Sequence, residues 1–214
     1  MSTAAAIVAV FVAGTWVFRD LAKQEVAQAA QTNNAALVRA HSPIYGNPAA
    51  KVTIVEFFDP SCEACRAFYP VVKGIVNASF SQVRLVVRYA PLHRGSDRAV
   101  KILEAARQQG KYWELLEKAL ETQPQWAAHH APNPELLWEL VTAAGLDVAK
   151  ARAAADSPEI DQLLKQDVAD MTALKVDRTP GFFVNGKPLV DFGAVQLKAL
   201  VEQELNKPKA GAAP

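Results

Sequence analysis

The sequence predicts an α/β fold in which a small sheet is interrupted by a block of helices, and three observations point to it. Two β-branched, aromatic segments, Lys51 to Phe58 and Val83 to Tyr89, flank a helix candidate. Four well-signalled helices then follow one another within residues 92–176. Last, Asn185-Gly186 between Phe182-Phe183-Val184 and Lys187-Pro188-Leu189-Val190 supplies the two positive-φ positions of a tight type I′ hairpin, with one more helix behind it.

Taken in order, residues 2–18 carry no charged side chain, which is the lower limit of about 17 residues for a helix crossing a hydrocarbon core. Residues 1–18 are therefore expected to be a transmembrane anchor or uncleaved signal. No Lys or Arg precedes the run while Arg19 and Lys23 follow it, so the flanking charges weakly favour the opposite orientation. A cleavable signal ending at Ala27-Gln28-Ala29 is the alternative. Residues 19–42 are Ala- and Gln-rich without a clean heptad and are expected to be a helical or extended spacer. The main domain is expected over 43–205. Its strands are Lys51 to Phe58 and Val83 to Tyr89, with a helix over Cys65 to Asn77 between them. Ser96 is expected to cap a helix that buries Ala99, Ile102, Leu103 and Ala106 and stops at Gly110. Tyr112 to Leu120 is next; Asn133-Pro134 opens a helix closed by Gly145; Ser157-Pro158 opens another, with Ile160, Leu164, Met171 and Leu174 inward. Val195 to Leu205 is the last helix, and 206–214, small, polar and Pro-bearing, is expected to be a flexible tail.

The 23 Lys and Arg against 22 Asp and Glu leave a net charge of +1, without the basic excess of a nucleic-acid-binding protein. Two cysteines are too few for a disulfide scaffold or a thiolate zinc cluster. They are Cys62 and Cys65, a spacing that two randomly placed cysteines show in only about 1% of cases. Pro60-Ser61-Cys62-Glu63-Ala64-Cys65 lies where a strand ends and a helix begins, so the first sulfur meets unpaired N–H groups and the positive end of the helix dipole. A thiolate is stabilised there, making Cys62 the nucleophile, while Cys65, one turn on, is shielded yet able to attack a mixed disulfide. Arg66 could support the thiolate and Glu63 opposes it, which argues for a moderate pKa depression. Asp59 and Pro60 are expected to shape the rim, and Trp113 and Trp138 to be core.

Val-Thr-Ile-Val-Glu-Phe-Phe-Asp-Pro-Ser-Cys-Glu-Ala-Cys-Arg-Ala-Phe-Tyr-Pro, followed far downstream by Thr-Pro-Gly-Phe-Phe-Val-Asn-Gly-Lys-Pro, resembles the DsbA-like thiol:disulfide oxidoreductases of the thioredoxin superfamily. The resemblance covers roughly Ser42 to Leu205 and implies a thioredoxin-like fold with a helical insertion over about 92–176. It also implies a cis Thr179-Pro180 bond lying against a Cys62–Cys65 redox disulfide, with Thr179 and Pro180 binding the substrate backbone. The chain departs from the pattern at Gly181, where a side chain is usual, and a looser loop is expected. Glu56, six residues before Cys62, matches the family's buried acid; it is expected to exchange a proton with Cys65, the alternative being an exposed strand-edge carboxylate.

Haem attachment needs His after the second Cys, where Arg66 stands. A zinc site would need two ligands from His41, His93, His129 and His130, and the adjacent pair is expected to be a solvated loop; Cu(I) on two thiolates is a minor alternative. The expectation is an anchored bacterial oxidoreductase with no metal and no cofactor beyond its own disulfide. It is placed at the inner membrane with its catalytic domain in the periplasm or extracytoplasmic space, acting on cysteines of exported polypeptides and not on nucleic acid. As an oxidase it implies a DsbB-like, quinone-linked membrane partner; a reductase or isomerase is the alternative.

Overall fold

In the computed structural model residues 3–128 and 132–208 are described, with the side chains of residues 3–6, 9 and 10 excepted. Part of the expected anchor, His129 and His130, and most of the expected tail therefore lie outside the described residues. Helix α1 (Thr3–Thr32) leads into a 3-10 turn (Asn34–Ala36) and strand β1 (Ile44–Gly46), which the sequence pattern does not announce. Strand β2 (Val52–Phe58), helix α2 (Glu63–Ala78) and strand β3 (Val83–Tyr89) follow. The inserted helices are α3 (Ser96–Gln108), α4 (Tyr112–Glu121), α5 (Gln123–Trp126), α6 (Leu137–Ala143), α7 (Val148–Ala155) and α8 (Pro158–Ala173). Strands β4 (Gly181–Val184) and β5 (Lys187–Pro188) and helix α9 (Ala194–Leu205) complete the chain.

Among the described residues the sheet runs β1-β3-β2-β4-β5. β2 pairs in parallel with β3, from Val52↔Val83 to Phe58↔Tyr89, and antiparallel with β4, from Ile54↔Val184 to Phe57↔Gly181. Both faces of the central strands are covered, so their side chains are buried almost throughout instead of alternating. Ile54, Phe58, Leu85, Val87 and Phe182 face a large core shared with α2, the inserted helices and α9. Val55, Phe57, Val86 and Phe183 face the opposite side, where Ala30, Leu37 and Leu174 cover them. The stretch expected as a spacer is thus packed on the sheet along its second half. Among the described residues no helix is long and apolar enough to cross a membrane.

Local chemistry explains the element ends. Ser157 Oγ accepts from the Ile160 N–H at 3.4 Å, as an N-cap should. Ser96 does not cap α3: Gly95, at φ 78°, holds that position, and the Ser96 hydroxyl is drawn instead to Asp59. Pro134 opens a 3-10 turn (Pro134–Leu136) ahead of α6. Helix α7 is not predicted because its Ala-rich sequence shows little apolar contrast, although Asp147, accepting from the Lys150 N–H at 3.0 Å, caps it. Asn185 (φ 46°) and Gly186 (φ 81°) both take positive φ in the hairpin, and Asn185 Oδ1 accepts from the Thr53 N–H at 2.8 Å.

Candidate active site

β2 and β3 are parallel, so their C-terminal ends, and the loops after them, lie at one end of the sheet. Asp59, directly after β2 and fully buried, ties these loops together. Its Oδ1 accepts from the Ser61 N–H (2.8 Å) and the Ser96 hydroxyl (2.5 Å), and its Oδ2 from the N–H groups of Leu92 (2.8 Å) and His93 (2.9 Å), with His93 Nδ1 at 2.7 Å. From the insertion, Gln123 Nε2 donates to the carbonyls of Pro60 (2.7 Å) and Cys62 (3.0 Å), fixing the loop from behind. Asp59 is therefore a buried anchor of the loop, beyond the rim role the sequence suggests. Neither the bond of Asp59 to His93 nor the grip of Gln123 on the Cys62 carbonyl carries a sequence signal, because the partners stand 34 and 61 residues apart and meet only through tertiary contact.

Cys62 is the N-cap of α2, in extended backbone conformation, and its Sγ accepts from the Cys65 N–H at 3.4 Å. The Cys62 thiol also donates to the Thr179 carbonyl at 3.3 Å. Both cysteines are free thiols, Cys62 5% exposed and Cys65 fully buried. The Cys62 pKa is lowered to about 5: the Cys65 hydrogen bond is the largest cause, burial opposes it, and Thr179 and the N–H groups of Cys65 and Ala64 add to it. Hydrogen bonding is thus the leading influence. Arg66, the cationic support suggested by sequence, instead lines a cleft between α2 and α4 with Tyr69, Lys73 and Glu117. Cys65 is pushed the other way, by burial first, then by the Cys62 hydrogen bond and the Glu56 and Cys62 charges.

Glu56 is buried in the middle of the sheet, between β3 and β4, and its Oε1 has no hydrogen-bond partner. Burial, followed by the Cys62 charge, raises its pKa to about 8. The Thr179-Pro180 bond is cis, with Thr179 half-buried and Pro180 buried. Gly181 is tightly packed and not loose: a Cβ there would lie 2.9 Å from Val176 Cγ1. Beside it the Phe68 and Phe192 rings meet at a centroid distance of 4.4 Å, tilted by 38°, and a cleft of ≈ 370 Å³ runs from Pro180 and Phe182 to Phe18 and Val26 of α1. Among the described residues no three His, Cys, Asp or Glu side chains are grouped to hold a metal. His41 and His93 each bond a buried aspartate, Asp167 and Asp59.

A family model described as Thioredoxin matches residues 39–203. A curated relative, the Na(+)/H(+) antiporter NhaA of Herminiimonas arsenicoxydans, is 33% identical over 147 residues, 68% of this chain and 22% of the relative. The chain thus spans about a fifth of the length of the curated relatives it matches. A thioredoxin-like oxidoreductase from Silicibacter pomeroyi DSS-3 is 31% identical, with a TM-score of 0.69 over 79% of this chain and 95% of that one. The thiol-disulfide exchange protein alpha-DsbA2 from Wolbachia pipientis, 20% identical, shares the fold, with a TM-score of 0.72 over 85% and 96%. With a Cys-x-x-Cys at a helix N-terminus, a cis-proline beside it and a matching family model over most of its length, the chain belongs to the thioredoxin family.

Proposed function

We propose that this protein is an extracytoplasmic dithiol oxidase that introduces disulfides into exported polypeptides through a Cys62–Cys65 disulfide. The observation that carries the reading is the placing of Cys62 Sγ at the N-cap of α2, accepting from the Cys65 N–H and set against the cis Thr179-Pro180 loop, an arrangement that lowers its pKa to about 5. A site that stabilises the reduced form makes its disulfide a better oxidant. A substrate thiolate attacks Cys62 Sγ, the Cys62–Cys65 bond breaks, and Cys65 leaves with the electron pair and takes up a proton. A second substrate thiolate then attacks the substrate sulfur of the mixed disulfide. The substrate leaves oxidised by two electrons, and Cys62 departs as the thiolate that Thr179 and the helix N-terminus favour. Glu56, whose charge reaches Cys65, is the group assigned to supply and remove the Cys65 proton, and a pKa near 8 suits that task at neutral pH. Thr179 and Pro180 are assigned to hold the substrate backbone. A DsbB-like membrane protein coupled to a quinone restores the disulfide.

The charge-free run at 2–18 supports an inner-membrane anchor with the catalytic domain in the periplasm or extracytoplasmic space, and the exposed Ile7, Phe11, Trp16 and Phe18 are consistent with it. Thiol trapping of Cys62 and Cys65 in intact cells tests the direction. A pool kept mostly oxidised is expected; a mostly reduced pool assigns the protein as a reductase or isomerase instead.

A further inference from the structure

A fully enclosed base such as Glu56 can cycle only if its proton reaches solvent. Its Oε1 has no partner, and Cys65, its assigned proton donor, is itself fully buried. The register shows what lies next to it. Glu56 pairs with Val87, and Phe58 with Tyr89, so Glu56 and Tyr89 lie on one face of neighbouring strands, two residues apart along the sheet. Across from them Tyr112 descends from the first turn of α4, and the two tyrosine oxygens are 3.0 Å apart. The Tyr89 hydroxyl donates to Glu104 Oε1 at 2.6 Å, so the proton between the two phenols comes from Tyr112. Glu104, on α3, is 1% exposed, and its Oε2 accepts from Arg107 Nε at 2.6 Å; the Arg107 side chain is 37% exposed and reaches the surface.

Tyr112, which the charge of Glu56 reaches, Tyr89, Glu104 and Arg107 thus form a hydrogen-bonded series that ends at the surface. We infer that Tyr112, Tyr89 and Glu104 form a proton exit for Glu56, an assignment that rests on Glu56 being the base for Cys65. Each transfer conserves protons. Glu56 passes its proton to the Tyr112 oxygen, by a side-chain rotation or across one water molecule, as Tyr112 hands its own to Tyr89 and Tyr89 hands its own to the Glu104 carboxylate. The net change is a neutral Glu56 and ionised Glu104 becoming an ionised Glu56 and neutral Glu104, and neither phenol changes charge. Glu104 then releases the proton beside Arg107. Burial holds the Glu104 pKa above the ordinary carboxylate value against the pull of Tyr89 and Arg107, which suits a proton relay better than a permanently ionised partner. The charged and titratable groups around this line are Cys62 and Cys65 on α2 at its inner end, Glu104 and Arg107 on α3 at its outer end, and His41, whose charge also reaches Glu104. A simple structural latch between sheet and insertion would not need its members to form a donor–acceptor series leading away from an orphaned carboxylate.

The test compares Tyr112→Phe, Tyr89→Phe and Glu56→Gln in single-turnover resolution of a mixed disulfide, with the rate followed against pH. The two phenylalanine variants keep both rings. Each is expected to slow the step about tenfold at neutral pH, with a smaller loss at alkaline pH where Cys65 ionises unaided. The Cys62 thiolate titration, read by ultraviolet absorbance, is expected to stay in place. Should a variant be too unstable to assay, the decay of the infrared carbonyl band of protonated Glu56 after disulfide formation, followed in Glu104→Gln, gives the same answer: slower decay supports the route, and unchanged decay overturns it. Unaltered pH–rate profiles in both phenylalanine variants, with a clear change in Glu56→Gln, overturn the route and leave Glu56 as the base. An unaltered profile in Glu56→Gln overturns the base assignment itself.

Discussion

At Cys62 a single sulfur is served by several donors at once, and their separate contributions can be measured. The Thr179 side chain is one of the groups that lower its pKa, and a near-isosteric change removes its hydroxyl. Thr179→Val should raise the Cys62 pKa and make the redox potential more negative, by about 30 mV for each tenfold loss of thiol acidity. Equilibration with glutathione checks this; an unchanged potential would mean that the Thr179 hydroxyl does not act on the thiolate. The cysteine spacing and the strand-to-helix setting are readable in the sequence because the chemistry is local: an N-cap needs only its own next turn. The five contacts of Asp59 and the reach of Gln123 are not readable, since a residue's partners across a fold leave no mark on its neighbours in sequence.

At the level of elements, periodicity locates β2, β3, α3, α4, α8 and the hairpin, because each has a strong apolar pattern or a specific turn chemistry. It overlooks β1 and α7, which are short or Ala-rich and are held by what they pack against. It also makes the segment before the domain a spacer, whereas Ala30, Ala36 and Leu37 bury against the sheet. A buried ionic network fastens this segment. Arg88, fully enclosed, bonds Asp167 at 2.7 Å and Asp170 at 2.6 Å and donates to the Ala36 carbonyl, while Arg39 grips Asp170 with two bonds of 2.8 and 2.7 Å. Burial alone would raise the Asp170 pKa, yet Arg39 and Arg88 bring it down to about 2. Arg88→Met removes the charge that both aspartates face and should cost about 3–5 kcal/mol. Arg39→Ala, at a side chain 34% exposed, should cost about 1 kcal/mol because Asp170 retains Arg88. Urea unfolding of the two variants tests the order; equal losses would show that the network is not centred on Arg88.

For the whole molecule, the active site gives stability two opposing dependences on pH. Cys62 has a folded-state pKa near 5, below its ordinary value of 9.0. From pH 9 down to 5 the unfolded chain binds a proton that the folded one does not, so this contribution is full above 9 and lost as pH falls. Glu56 is the reverse: with a pKa near 8 against 4.5, its contribution is full below 4.5 and lost as pH rises through 8. Between 5 and 8 the two slopes oppose each other in the reduced protein. Removing either group should uncover the other. Relative to the reduced wild type, Glu56→Gln should gain stability steadily from pH 5 to 8, and Cys62→Ser should lose it. Denaturant titrations across that range check both signs, and parallel curves for all three proteins would show that neither pKa is perturbed by folding.

An ionised Cys62 in the reduced enzyme at neutral pH is the property on which the proposed oxidase chemistry depends most directly. Thiolate absorbance of the reduced protein, followed from pH 3 to 10, measures it without substrate or partner. A one-thiol transition with a midpoint near 5, well separated from the later ionisation of Cys65, is the expected result. A midpoint at the free-cysteine value of about 8.5 would contradict it, and with it the case for an oxidising disulfide.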